Sequence, residues 1–208
     1  IDEGLVGSEM CIRDSTGSAS NYSLSSATFD IIERPLNLSA TKVYNGNTTI
    51  TSGSVTFSNL AGGESLSKSG SITTSSANVA SFQTSDITVS SLSLVNGSGS
   101  ASNYTLSGGT YSATITKKSL GLSGTRVYDA TTTASSSDLR LTGLVGSETL
   151  ILSGSGTLAS SVVANGKVIT LNTLAIADNS GLASNYDLSG TITMAVSYTH
   201  LTLPTIMP

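Results

Sequence analysis

The chain of 208 residues has no tryptophan, three prolines, one cysteine and one histidine. Charged residues make up 11% and aromatic residues 5%. One cysteine forms no disulfide within the chain, and one cysteine with one histidine is too few for a Cys/His zinc site. There is no basic cluster, which argues against a nucleic-acid groove. No apolar run approaches the ~18–20 residues that a membrane-spanning helix needs. What fills the space is hydroxyl chemistry: serine (41) and threonine (29) are a third of the chain, beside 21 glycines. Ser, Thr and Gly are weak helix formers, whereas Thr, Val and Ile pack well on a pleated face. The expectation is an all-β protein of one or two domains.

The two ends read differently from the middle. Leu5–Ser15 resembles one reading frame of a transposase-type sequencing adapter, and Val196–Thr205 resembles its opposite strand. Residues 1–15 and 196–208 are therefore expected to be non-native tails and are set aside, as a processing scar would be. Cys11 and His200 go with them. Between residues 16 and 195 stand nine acids and eight bases, so the formal charge moves from −4 to −1. The remaining chain is expected to start and stop inside a longer protein.

The middle repeats. Ser18-Ala19-Ser20-Asn21-Tyr22 returns as Ser100-Ala101-Ser102-Asn103-Tyr104, and Ala183-Ser184-Asn185-Tyr186 closes the series, with steps of 82 residues. Leu36–Tyr44 returns as Leu120–Tyr128, and Phe57, Leu60, Gly62, Glu64 and Leu66 return as Leu141, Leu144, Gly146, Glu148 and Leu150, both after 84. The two-residue difference is expected to be an indel in a loop or strand end. Such a period exceeds the ~20–45 residues of a solenoid coil and suits a small domain. The predicted organisation is the end of a preceding repeat (16–35), a complete repeat (36–117) and a second repeat truncated at its last strand (118–195).

Within a repeat the periodicity is that of strands. Tyr111, Ala113 and Ile115 alternate with polar residues, as a half-buried strand requires. Ile87 and Val89 alternate, the phase slips by one, and Leu92 and Leu94 alternate again. Ile169, Leu171, Leu174 and Ile176 repeat the slip 82 residues later. A slip turns side chains to the other face, so a bulge or a strand that changes sheet is expected. Turn signals such as Asn45-Gly46, Asn96-Gly97 and Asn165-Gly166 punctuate about seven short strands per repeat. The predicted fold is tandem antiparallel β-sandwiches of immunoglobulin-like type. The alternative is a β-grasp-like arrangement with a short helix or turn across a sheet, the helix expected over Ser75–Gln83, the least alternating stretch.

No constellation for chemistry emerges. A serine nucleophile needs a base beside it, and no lysine spacing recommends one, so Lys42 and its kind read as solvated surface. Glu64 and Glu148 are equivalent positions in two domains and read as turn or capping residues. Asp129 and Asp138 leave room for at most a lone calcium, without the Asp-rich loop that usually holds one. The prediction is no enzyme, no cofactor and no metal. The tyrosines hold register: Tyr22, Tyr104 and Tyr186 in one set, Tyr44 and Tyr128 in another, with Asn21, Asn103 and Asn185 preceding the first set. They are read as structural signature residues, rings buried at a sheet corner with the hydroxyl bonded to backbone. Asn21, Asn37, Asn47, Asn96 and Asn103 head sequons, which a Ser/Thr-rich chain produces by chance.

Taken together, the Lys/Arg-Val-Tyr-Asn/Asp-Gly/Ala-x-Thr-Thr start, the Gly-x-Glu middle and the Ala-Ser-Asn-Tyr-x-Leu ending resemble the YDG-type repeat, often found beside MBG-like modules. Tyr44-Asn45-Gly46 and Tyr128-Asp129-Ala130 each depart from the name motif, and Ala130 argues against a left-handed backbone at that turn. The resemblance implies a module of large secreted bacterial adhesins of the filamentous-haemagglutinin kind, extracellular or on the outer membrane. Its expected role is a stalk or passenger spacer partnered by neighbouring repeats of the same chain. The alternative is an adhesive module that contacts a host glycan or matrix protein through loops at the sandwich end. Neither nucleic acid nor a membrane span is expected. The lack of native cysteine fits passage of an unfolded chain through an outer-membrane pore.

Overall fold

The computed structural model describes residue 23, residues 28–189 and residues 192–197, the last five as backbone alone. The chain divides into two units, Ile1–Ile32 and Glu33–Pro208. The described part of the first has neither strand nor helix, and its Phe29, Ile31 and Ile32 are exposed. Cys11, Asn21, Tyr22 and His200 lie outside the described residues, as do the tails except Val196 and Ser197.

The second unit holds both repeats. In repeat 1 the strands are β1 (Arg34–Pro35), β2 (Asn37–Val43), β3 (Thr49–Thr51), β4 (Val55–Ser58), β5 (Leu66–Thr74), β6 (Ala80–Gln83), β7 (Ile87–Thr88), β8 (Leu92–Asn96), β9 (Tyr104–Thr105) and β10 (Tyr111–Thr116). In repeat 2 they are β11 (Lys118–Ser119), β12 (Gly121–Val127), β13 (Thr133–Ser135), β14 (Leu139–Thr142), β15 (Leu150–Ser153), β16 (Ser155–Leu158), β17 (Lys167–Thr170), β18 (Ala175–Asp178), β19 (Tyr186–Asp187) and β20 (Ile192–Ser197). Ten strands per repeat exceed the expected seven because two-residue bridges, β1, β7 and β9 in repeat 1 and β11 and β19 in repeat 2, escape the turn signals, and because the stretch that is β5 in repeat 1 is split into β15 and β16 in repeat 2. Val196 and Ser197, in the segment that resembles adapter, are paired within β20.

The architecture is all-β and sandwich-like. In repeat 1 one sheet has the order β4-β2-β10-β6, and the other is β3-β5-β7 with β8 also on β5. Leu38 and Ala40 of β2, Phe82 of β6, and Tyr111, Ala113 and Ile115 of β10 are buried on one side, every second residue along each strand. They share one core cluster with Ile50, Ile72 and Ile87 of the other sheet. Repeat 2 has its own cluster of Leu122, Ala134, Leu139, Leu158, Ile169 and Leu174.

The pairing differs from the expected antiparallel sandwich at its parallel pairs, which include the two-residue bridges β1–β9 and β11–β19. β10 runs parallel to β2 over six pairs, from Tyr111↔Leu38 to Thr116↔Val43. β20 runs parallel to β12 in the same way. The first and last long strands of a repeat thus point the same way, and the chain leaves at the end opposite to its entry. Only Lys117 separates β10 from β11 of the next repeat.

The helix of the β-grasp alternative does not form. Ser75–Val79 are bends and loop, and Ala80–Gln83 are β6, antiparallel to β10. Phe82 and the hydroxyl residues around it gain more from a half-buried strand than from a helix that Ser and Thr favour poorly.

The phase slip is a break in pairing. β7 and β8 both pair with β5, β8 over Leu66–Gly70 and β7 over Thr73–Thr74, so the pairing with β8 ends at Gly70. Gly70 has φ +86°, and a Cβ there would lie 1.9 Å from the Ser91 carbonyl oxygen, so only glycine fits. Gly154 repeats this with φ +84° and the Thr173 oxygen at 2.1 Å. The indel's net difference of two residues is a three-residue turn lost and one residue gained, since Thr74 to Gln83 is nine steps and the matching Leu158 to Val168 is ten. Gln83 and Ile87 flank the turn Thr84–Asp86, but their counterparts by pairing, Val168 and Ile169, are adjacent in β17. Without that turn β17 belongs to both sheets, and repeat 2 has one six-stranded sheet, β13-β16-β17-β20-β12-β14.

Candidate functional site at the joint between repeats

In each repeat the Ala-Ser-Asn-Tyr ending meets the Gly-x-Glu middle. Ala183–Asn185 form a 3-10 turn that delivers Tyr186 to the start of β19 with its ring buried. Its hydroxyl accepts from the Val145 N–H at 3.0 Å and donates to Glu148 Oε2 at 2.6 Å. In repeat 1 the Tyr104 hydroxyl accepts from the Ala61 N–H at 3.0 Å and donates to Glu64 Oε2 at 2.5 Å. A buried phenol needs a partner for its polar end, and here it has both a backbone N–H and a carboxylate. Each glutamate closes a short turn through its own N–H, to Ala61 O or Val145 O.

The second tyrosine set crosses between repeats. Tyr44, just beyond the end of β2, donates to Glu148 Oε1 at 2.6 Å. Its ring meets Tyr186 edge to face, with centroids 5.3 Å apart and planes at 80°. One carboxylate of repeat 2 therefore takes a tyrosine from each repeat, one on each oxygen. Beside it, Asn185 accepts from the Val79 N–H and donates to Asn78 Oδ1, both at 2.9 Å. Tyr186 and Leu120 of repeat 2 belong to the core cluster of repeat 1, with Val145, Leu150 and Ile176 packed against it. The joint is an extension of that core with polar groups paired across it. Burial, then the Glu148 carboxylate, pushes the Tyr186 pKa up to about 12 and raises that of Tyr44.

The Tyr-Asx turn that supplies Tyr44 is a cage for a cation. Asn45 Oδ1 accepts from the Asn47 N–H at 3.3 Å. Lys42 Nζ donates to Asn45 Oδ1, Asn47 Oδ1 and Thr49 O, each at 3.0 Å, and to Asn47 O. Burial lowers the pKa of this ammonium. In repeat 2 Arg126 fills the same cage with Asp129 at 3.2 Å and the Thr131 and Thr133 carbonyls. Hydrogen bonds from Thr131, the backbone one first, hold the Asp129 carboxyl below its ordinary range. Gly46 has φ +78° and Ala130 φ +62°. The turn is left-handed in both copies, contrary to the inference from Ala130, because the cation and the Asx side chain fix the loop around an unfavourable alanine.

The register-matched residues are not equivalent in surroundings. Tyr44 is 5% exposed and Tyr128 43%. Asn185 is 1% exposed, whereas Asn103 is exposed. The difference follows the joint, which in this chain covers one end of each repeat. Sequence reasoning placed the tyrosines at sheet corners but paired neither glutamate with them. It also left Lys42 on the surface. The recurrence of Glu64 and Glu148 in step with the tyrosines was the available signal.

The family model of the YDG domain matches the chain twice, over residues 32–115 and 112–194. No curated protein and no solved structure matches it.

Proposed function

The chain belongs to the YDG domain family, and on that footing we propose that it is a structural repeat module, a spacer in a secreted or cell-surface bacterial adhesin. It acts by setting reach and stiffness, without catalysis. The observation that supports this most directly is the joint, where the signature residues Tyr44, Glu148, Asn185 and Tyr186 hold one repeat to the next. Such an array draws its stability from each repeat and from each neighbour interface. The parallel pairing of β2 with β10 sends the chain out at the far end, as a series of repeats in line requires. Two measurements test the reading. Antibody against this chain should label the surface of intact producing cells, and small-angle scattering of the chain and of its tandem duplication should give an equal increment in maximum dimension per repeat. Label confined to the cytoplasm, or a duplicated chain no longer than the single one, would end it.

A second reading, adhesive contact with a host glycan or matrix protein, draws on one feature. An open groove in repeat 1 is lined by Thr84, Ile87, Val89, Leu106 and Tyr111, and the turn at Thr84 has no counterpart in repeat 2. Binding of the chain to a glycan or matrix panel, lost on deleting Thr84–Asp86, is the result that reading requires.

A further inference from the structure

The receiving half of the joint is Glu148, Tyr186, Asn185 and Val145. Repeat 1 carries the same half at its other end. Glu64 Oε2 takes the Tyr104 hydroxyl, while Oε1, the counterpart of the oxygen that binds Tyr44, accepts no hydrogen bond among the described residues. Asn103 is exposed and its side chain makes no hydrogen bond among the described residues, where Asn185 makes two across the joint. Ala61, the counterpart of Val145, is exposed, with its N–H already bound to Tyr104.

We propose that this face of repeat 1 docks a second copy of the chain, through the Tyr128–Thr131 turn at the far end of that copy's repeat 2. The joint inside the chain is the template. Tyr128 is the register counterpart of Tyr44, and in the docked pair its hydroxyl reaches Glu64 Oε1. Size complementarity selects this occupant. Inside the chain a glycine faces a valine: a Cβ on Gly46 would lie 2.9 Å from Val145 Cγ1. Between copies, Ala130 faces Ala61. The methyl gained on the turn is matched by the methyls lost from the receiving face, so the alanine-bearing turn fits where a valine would obstruct it. The contact is head to tail and does not close on itself, so it builds open chains of copies. The inference shares with the spacer reading only the premise that the joint is repeatable. It does not depend on where the protein resides.

The test uses the full chain from micromolar to millimolar concentration, followed by amide NMR and sedimentation velocity. The expected result is a sedimentation coefficient that rises continuously with concentration, with amide shifts confined to the surroundings of Ala61, Asn103 and Thr131. Ala61→Arg fills the receiving face but keeps the backbone bond to Tyr104, so it stays monomeric with an unchanged unfolding midpoint. Tyr128→Phe, which removes one hydroxyl at the opposite end, weakens association by roughly ten-fold, the lower range for one hydrogen bond to a carboxylate. A chain that stays monomeric at millimolar concentration overturns the proposal. So do shifts that map to another surface, or association of Ala61→Arg equal to wild type. If Ala61→Arg does not fold, Tyr128→Phe decides alone. Failure here leaves the spacer reading standing, since that reading is settled by surface labelling and the length increment.

Discussion

Tyr44→Phe is the sharpest probe of the joint, because it removes one hydroxyl and leaves the ring. The ring is buried and meets Tyr186 edge to face, and phenylalanine preserves that contact and its apolar area. What is lost is the 2.6 Å bond to Glu148 Oε1. A hydrogen bond to an ionised acceptor is worth about 1.5–3 kcal/mol. Glu148 is half-buried, so water takes up part of the vacated oxygen, and the lower part of that range, about 1.5–2 kcal/mol, is expected. With a urea dependence of about 2 kcal/mol per molar, the unfolding midpoint falls by roughly 0.8–1 M. The double-mutant cycle with Glu148→Ala should return a coupling of about 1–1.5 kcal/mol, since the two groups are in contact. A weakened joint should also broaden the single unfolding transition toward two, one per repeat. A midpoint within about 0.2 M of wild type, with coupling near zero, would refute the claim that this bond ties the repeats together.

Other changes separate the joint from the interior of a repeat. Asn185→Ala leaves the Val79 N–H without its partner and should cost about 2–3 kcal/mol in chemical denaturation, whereas Asn103→Ala should stay within about 0.5 kcal/mol. Ala130→Gly relieves a left-handed alanine and should stabilise by about 0.5–1 kcal/mol after the entropy of the unfolded glycine. Gly46→Ala adds both that strain and a contact with Val145, and calorimetry should show a lower melting temperature. Gly154→Ala would push a Cβ to 2.1 Å from the Thr173 oxygen and should cost more than about 3 kcal/mol in the same denaturant assay. Alkaline titration should show the effect of burial on Tyr186. Its pKa is raised from 10.0 to about 12, so the folded chain holds the proton more tightly than the unfolded one. Stability is then level below pH 10, falls between 10 and about 12, and loses at most roughly 3 kcal/mol from this group. Tyrosinate absorbance read alongside circular dichroism checks both steps.

The sequence made the strand class and the repeat legible through local regularity, and the burial of Tyr44, Tyr104 and Tyr186 with them, whereas Tyr128, expected buried in the same register, is 43% exposed. Alternation at Tyr111, Ala113 and Ile115 is a two-residue rule, and the recurrence of Asn-Tyr is a string match. The phase slip near Leu92 was visible too, because a change of face leaves its trace in the apolar pattern. What stayed hidden depends on pairings between distant residues. Nothing in β2 or β10 alone says that they lie side by side and parallel. The Lys42 cage joins the side-chain oxygens of Asn45 and Asn47 to the main-chain carbonyls of Asn47 and Thr49, and carbonyls are carried by every residue and revealed by no composition. The left-handed Ala130 was misjudged for the same reason: intrinsic preference weighs against it, and the loop contacts that outweigh it are invisible in the residue itself.

The recurrence of the signature residues can be divided by what each touches. Tyr104 and Tyr186 each have a partner glutamate inside their own repeat, so their return, and that of Glu64 and Glu148, would be expected even of independent domains. Asn103 and Asn185 do not fit that account. Asn185 is buried only because Asn78 and Val79 of the other repeat cover it, and Asn103, in the same local turn, is exposed. An asparagine side chain that is used only across a joint contributes nothing to a solitary domain. On the spacer reading proposed above, its presence at both positions is what a series requires, each repeat carrying the giving half of the joint at one end and the receiving half at the other. The parallel β2–β10 pair sets those two ends apart by the length of a seven-residue strand, about 23 Å, so one repeat can engage a neighbour at each end without the two meeting.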